Sequence, residues 1–162
     1  MPRTILATGI TGFIAKKIAY DLLARGDIVR GTLRKSGRSQ EVRAALAGLP
    51  PEALARLSFV EADLMTDRGW AEAMGGVDGV MHTASPFPLS KPKDESQIIG
   101  PAVEGTKRVL KAAHKAGVTR VVLTSSMEAV MHGVTSNPMT EADWSNPEAP
   151  TCSAYTRSKI FA

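Results

Sequence analysis

The chain of 162 residues is 43% hydrophobic and 22% charged, which suits one globular domain and excludes a disordered, collagen-like or coiled-coil chain. Its net charge of +4, from 20 basic and 16 acidic side chains, is too small a surplus to indicate a nucleic-acid partner. The single cysteine, Cys152, and the absence of any uncharged run near the ~20 apolar residues of a membrane span predict a cytoplasmic protein with no membrane partner.

Strands and helices are predicted to alternate along the chain. Apolar, β-branched runs predict strands at residues 4–8, 28–33, 57–61, 79–83 and 120–124. Apolar residues three or four positions apart predict helices at 13–25, 39–47, 67–74 and 94–116, and another helix begins near Tyr155. Strands and helices that alternate at this spacing predict an α/β fold with a doubly wound parallel sheet of the Rossmann type.

The longest predicted helix carries one stripe of residues that we expect to be buried. The stripe consists of Ile98, Ile99, Ala102, Val103, Thr106, Val109, Leu110 and Ala113. The segment 127–152 is rich in proline and asparagine and is predicted to be a loop.

Small residues follow the pattern G-x-x-G-x-x-A between the first strand and the first helix, at Gly9, Gly12 and Ala15. The first glycine permits a tight turn, the second lets the backbone approach a pyrophosphate, and Ala15 allows the helix to pack closely on the strand. The helix N-terminus adds N–H donors and a partial positive charge. A turn that only redirects the chain is the alternative, but the position between a strand and a helix favours a dinucleotide site.

The residues that follow the second strand predict which dinucleotide is bound. A carboxylate at this position accepts a hydrogen bond from the ribose of NAD and repels a phosphate. This chain has Arg34 and Lys35 there, and a guanidinium can bind the 2′-phosphate of NADP, so we predict NADP(H). A solvated basic loop is the alternative. Asp63, after the third strand, suits the adenine amino group or caps the next helix.

Tyr155 and Lys159 are four residues apart and therefore share one face of the predicted last helix. A lysine ammonium beside a tyrosine stabilises the phenolate, which makes the tyrosine a usable proton donor and acceptor. A surface pair without function is the alternative.

Ser125 and Ser126 follow the fifth strand, at the sheet edge where such folds bind ligands, and a hydroxyl there can hold a carbonyl oxygen. The three histidines share no metal-ligand spacing, so no metal site is predicted.

Taken in order, seven motifs resemble the extended short-chain dehydrogenase/reductases, and within them the dihydroflavonol 4-reductase and cinnamoyl-CoA reductase group. They are TGxxGFIA at 8–15, Arg34, ADL at 62–64, HTASP at 82–86, PAVEGT at 101–106, TSS at 124–126 and YxxxK at 155–159. The resemblance implies an NADP-binding Rossmann domain over residues 1–162, without the family's C-terminal substrate-binding half. We therefore expect either a fragment of a longer chain or a chain that pairs with another copy or partner along an exposed strand edge.

The same resemblance implies an NADPH-dependent enzyme that reduces a small aldehyde or ketone, or oxidises the alcohol. Tyr155 would be the catalytic acid, Lys159 would bind the nicotinamide ribose and tune Tyr155, and Ser126 would polarise the carbonyl, with Ser125 as the less favoured choice. The other cofactor-binding residues that it implies are Thr8, Gly9, Thr11, Gly12, Phe13, Ile14, Arg34, Lys35, Asp63, Leu64, Thr83, Ala84, Ser85 and Thr124.

Two other functions are compatible with this fold. One is a non-catalytic NADP-binding regulatory module. The presence of both Tyr155 and Lys159 argues against it. The other is a nucleotide-sugar epimerase or dehydratase, whose members usually prefer NAD and carry an acidic residue where this chain has Arg34.

Overall fold

Five parallel strands form one sheet in residues 1–87 and 94–162, the part of the chain that this computed structural model describes. The strands are β1 (Thr4–Thr8), β2 (Ile28–Leu33), β3 (Leu57–Glu61), β4 (Gly79–His82) and β5 (Val121–Leu123), and they lie in the order β3-β2-β1-β4-β5. The helices are α1 (Phe13–Ala24), α2 (Ser39–Ala45), α3 (Pro51–Leu54), α4 (Trp70–Met74), α5 (Ser96–Lys115) and α6 (Ala154–Phe161). The predicted doubly wound α/β fold is confirmed.

Apolar side chains cover both faces of this sheet. Ile5 and Ala7 of β1 belong to one buried cluster, to which α1 and α2 contribute, and Leu6 belongs to a second cluster formed with α4 and α5. Successive side chains of a strand point to opposite faces, so a strand buried on both sides must be apolar throughout. This explains why β1 reads as a continuous apolar run.

Several predicted elements differ from the structure by one or two residues at an end, and three segments differ by more than that or in type. The helix predicted from residue 67 begins only at Trp70, because Gly69 adopts a left-handed φ of +85° immediately before it. The proline pair at 50–51, expected to be a break, opens the single turn of α3, since a proline at the first helical position needs no N–H partner. The loop predicted at 127–152 contains a 3₁₀ turn at Met127–Ala129.

The burial predicted for α5 is wrong at one position. Val109 is fully buried and Ala113 nearly so, but Leu110 is 41% exposed. Adjacent residues of a helix are turned by about 100°, so Leu110 falls outside the stripe that Val109 marks. Val122 and Leu123 of β5, the last strand in the sheet order, are 45% and 40% exposed.

The chain divides into two compact units. The first comprises Met1–Ala84 and Arg108–Thr124 and contains the sheet. The second comprises Ser85–Lys107 and Ser125–Ala162 and contains the 3₁₀ turn and α6. The second unit has its own small apolar cluster, formed by Ala149, Cys152 and Ile160.

Candidate active site

The glycine turn after β1 requires glycine at its first position for two reasons. Gly9 has a φ of +63°, and a Cβ atom built on it would lie 3.0 Å from the Cβ of Ala84. The N–H of Gly12 donates to the carbonyl of Gly9 at 2.9 Å and closes the turn. Ala15, two residues into α1, is 1% exposed, as expected for the position where the helix packs on the strand. The turn therefore has the geometry of a phosphate-binding loop.

The N-terminus of α1 has the chemistry of an anion site. Gly12 is the N-cap residue and offers no side chain, and among the described residues no side chain caps this end. The first turn contains no acidic residue, so the helix dipole is not neutralised there. Phe13 and Ile14 are exposed at this end, and Thr11 is half-buried. Uncapped N–H groups at the end of a glycine turn suit a pyrophosphate.

Thr8 fixes the end of β4 to the glycine turn. Its Oγ1 accepts hydrogen bonds from the main-chain N–H of Thr83 (3.1 Å) and of Ala84 (3.0 Å). With both lone pairs used, the hydroxyl donates its hydrogen to Nδ1 of His82, 2.7 Å away. His82 is 1% exposed, and this donation requires the tautomer in which Nδ1 carries no hydrogen. The sequence did not predict this contact, because Thr8 and His82 are 74 residues apart and meet only through the pairing of β1 with β4.

The basic residues after β2 differ in whether their side chains form ion pairs. Arg34 and Lys35 are exposed and form no ion pair within the described residues. Arg38 binds Glu41 at 2.7 Å, and Lys16 of α1 binds the same carboxylate at 2.7 Å. Hydrogen bonds from Lys16 and Arg38 lower the pKa of the Glu41 carboxyl. Arg34 and Lys35 are thus unpaired within the described residues, whereas Arg38 shares the Glu41 carboxylate with Lys16.

Asp63 closes a turn after β3. Its Oδ1 accepts the N–H of Met65 at 2.9 Å, and its carbonyl accepts the indole N–H of Trp70 at 3.0 Å. The carboxylate caps this turn and not α4, whose N-cap is Gly69. Leu64 packs partly buried against the second cluster. The contact of Asp63 with adenine stays a prediction.

Tyr155 and Lys159 lie on the same face of α6. Nζ of Lys159 is 5.8 Å from the centroid of the Tyr155 ring, and both side chains are half-buried. Burial lowers the pKa of the Lys159 ammonium. Phe87 packs edge-on against Tyr155, with ring centroids 5.4 Å apart and an interplanar angle of 87°. The predicted pair is therefore formed, in partly dehydrated surroundings.

Ser126 caps the 3₁₀ turn that follows β5. Its Oγ accepts the N–H of Glu128 at 3.3 Å, and the side chain is half-buried, whereas Ser125 is exposed. A hydroxyl that accepts one hydrogen bond keeps its own hydrogen for donation. Ser126 can therefore donate to a carbonyl oxygen while its rotamer is held by the turn.

A carboxylate that the sequence analysis missed stands beside this serine. Oε2 of Glu128 accepts hydrogen bonds from the hydroxyl of Thr156 (2.5 Å) and from Nε2 of His132 (3.0 Å). Thr156 is 28 residues away along the chain, so no local pattern signals the contact.

Within the described residues, no cluster of His, Cys, Asp and Glu is placed to hold a metal ion, and no helix is long and apolar enough to cross a membrane.

Comparison with known proteins identifies the family. The model of the NAD dependent epimerase/dehydratase family matches residues 5–162. The chain belongs to this family. Cinnamoyl-CoA reductase 1 of Petunia hybrida is 40% identical over 154 residues, which cover 90% of this chain and 43% of that protein. Dihydroflavonol 4-reductase of Callistephus chinensis is 35% identical over 147 residues, which cover 90% of this chain and 40% of that protein.

Solved structures of this family share the fold. Yeast methylglyoxal/isovaleraldehyde reductase Gre2, complexed with NADPH, superposes with a TM-score of 0.80 at 28% identity, over 98% of this chain and 50% of that one. The predicted resemblance to extended short-chain dehydrogenase/reductases, and to the dihydroflavonol 4-reductase and cinnamoyl-CoA reductase group, is confirmed. The chain spans less than half the length of the two sequence relatives and about half of the yeast reductase.

Proposed function

We propose that this chain is the NADP-binding domain, residues 1–162, of an oxidoreductase that reduces an aldehyde or ketone to an alcohol. The observation that carries the proposal is the pairing of Tyr155 with Lys159 on one face of α6. Reductases among the relatives, and the NADPH in the yeast structure, support the same reaction class.

Most of the residues assigned to the cofactor belong to the first unit, and Ser85 belongs to the second. The turn at 8–14, with Gly9 and Gly12 at its bends and the uncapped start of α1, suits the pyrophosphate. Arg34 and Lys35 suit the 2′-phosphate, because both are exposed and neither is neutralised by an ion pair within the described residues. When bound, NADPH supplies the hydride of the reaction. The remaining residues assigned to this cofactor are Asp63, Leu64, Thr83, Ala84, Ser85 and Thr124.

Three side chains of the second unit are assigned to the proton transfer. The Tyr155 hydroxyl donates a proton to the carbonyl oxygen as that oxygen becomes an alkoxide. The Lys159 ammonium, partly dehydrated, stabilises the phenolate that remains, since a charge acts more strongly where water is excluded. Ser126 donates a hydrogen bond to the same carbonyl oxygen and so stabilises its developing charge.

Replacing Tyr155 with phenylalanine tests this assignment. Tyr155→Phe removes the proton donor and leaves the ring contact with Phe87 in place, so we expect kcat to fall by about 10²- to 10⁴-fold with NADPH affinity nearly unchanged. Tyr20→Phe is a matched control, because Tyr20 lies on α1 and also has a lysine near its ring, with Nζ of Lys17 5.9 Å from the ring centroid. A Tyr155→Phe protein that keeps most of its turnover would exclude Tyr155 as the proton donor.

A further inference from the structure

Glu128 is a half-buried carboxylate to which the proposed reaction gives no task. It lies in the 3₁₀ turn at Met127–Ala129, two residues after Ser126. Its Oε2 accepts two hydrogen bonds, from Thr156 in α6 and from His132. Such a group is expected to carry a charge only where its partners stabilise it. The hydrogen bond from Thr156, with that from His132, lowers the pKa of Glu128 despite the opposing effect of burial.

The contact with Thr156 completes the N-terminal cap of α6. Ser153 Oγ accepts the N–H of Thr156 at 3.0 Å, and Thr156 Oγ1 accepts the N–H of Ser153 at 3.2 Å, which together form a capping box. Because Thr156 Oγ1 accepts that bond, its own hydrogen is available for the carboxylate of Glu128, 2.5 Å away. The Oε2 atom of Glu128 therefore supports the end of the helix that carries Tyr155 and Lys159.

The main chain of Glu128 is held as firmly as its side chain. Its N–H donates to Ser126 Oγ at 3.3 Å, and its carbonyl accepts the hydroxyl of Ser145 at 2.8 Å. The Ser145 hydroxyl in turn accepts the N–H of His132 at 2.8 Å. One residue thus contacts the candidate catalytic serine through its backbone and the candidate catalytic helix through its carboxylate.

We propose that Glu128 is a positioning residue that holds the turn of Ser126 against the N-terminus of α6, and so sets Ser126 relative to Tyr155 and Lys159. This inference rests on the proposed function. A displacement of about 1 Å between groups that act on one substrate atom lowers a rate strongly while ground-state binding changes little. The expected signature is a loss in kcat without a loss in cofactor affinity.

Three variants separate positioning from general stability. For Glu128→Ala we expect at least a tenfold fall in kcat, NADPH affinity within twofold of the parent, and faster amide hydrogen exchange in the first turn of α6. Glu128→Gln keeps an oxygen that can accept the Thr156 hydroxyl, so it should recover much of the lost kcat. Glu148→Ala, at an exposed glutamate of the same unit, is the matched control and should change none of these quantities.

A fourth variant identifies the contact itself. Thr156→Val removes the hydroxyl that donates to Glu128, so its effect on kcat should not add to that of Glu128→Ala in the double variant. Additive effects, an unchanged kcat in Glu128→Ala, or equal losses of kcat and NADPH affinity would each overturn the inference. Normal turnover in Tyr155→Phe would refute the proposed function and not the role of Glu128. In that case the amide exchange rates of α6 still test whether Glu128 holds the N-terminus of this helix.

Discussion

The hydroxyl of Thr8 is expected to be one of the most important single groups for the stability of the first unit. Thr8 is fully buried, and its Oγ1 makes three hydrogen bonds: two from main-chain N–H groups at the end of β4 and one to His82. Thr8→Val keeps the shape of the side chain and removes all three bonds. The substitution therefore isolates the hydrogen bonding from the packing.

The size of the loss follows from these bonds. A typical hydrogen bond contributes about 1 kcal/mol net, and a buried donor deprived of its acceptor costs about 1–3 kcal/mol. In Thr8→Val, the N–H groups of Thr83 and Ala84 lose their acceptor, and Nδ1 of His82 loses the Thr8 hydroxyl as its partner. We therefore expect the substitution to lower the free energy of unfolding by about 3–5 kcal/mol. In a protein of this size that corresponds to a fall in melting temperature on the order of 10 °C.

Thr8→Ser is the matched control for this experiment. Serine keeps the hydroxyl and loses one buried methyl group, which costs about 1 kcal/mol. Urea denaturation gives the free energy of unfolding of both variants, provided that its dependence on urea concentration (the m-value) is the same as in the parent protein. Equal losses in the two variants, or a loss below about 1 kcal/mol in Thr8→Val, would refute the account of the hydroxyl.

Three further predictions concern other parts of the first unit. Arg34→Ala should weaken NADPH binding by about 1–3 kcal/mol in calorimetry and leave NADH binding unchanged. Arg38→Ala removes a guanidinium that is ion-paired with Glu41, and it should weaken NADPH binding less than Arg34→Ala does. Gly69→Ala should abolish a stable fold, measured by circular dichroism, because its Cβ would overlap the main-chain carbonyl oxygen of Glu61 in β3. Burial would raise the pKa of Asp27, but hydrogen bonds from Arg3 lower it, so its contribution to stability is present above about pH 4 and is lost as pH falls further. Acid titration of Asp27→Asn should show a smaller loss over that range.

The fold could be predicted from the sequence because its signals are local. The strands at 4–8, 28–33 and 57–61 have the predicted bounds. β1 shows the reason most clearly, since a strand buried on both faces must be a continuous apolar run. The glycine pattern and the spacing of Tyr155 and Lys159 are local too, and the structure gives both the expected arrangement within their own elements.

The long-range contacts within each unit could not be predicted in this way. Thr8 meets His82, and Glu128 meets Thr156, across 74 and 28 residues of chain, and neither pair has a spacing that suggests a contact. Such pairs follow only from the order of the strands and the packing of α6. The burial of Leu110 was mispredicted for a related reason, because periodicity marks the centre of a helix face better than its boundary.

The central claim is that hydride passes from NADPH to a carbonyl carbon with Tyr155 as the proton donor. The most direct measurement uses NADPH that carries deuterium at both C4 positions of the nicotinamide, with a panel of aldehydes and ketones, and mass spectrometry of the products. We expect one deuterium on the carbinol carbon for each NADPH oxidised, and product formation about 10²- to 10⁴-fold slower with Tyr155→Phe. NADPH that stays unoxidised across the panel, as for an epimerase or a regulatory module, or an alcohol that lacks deuterium, would contradict the account.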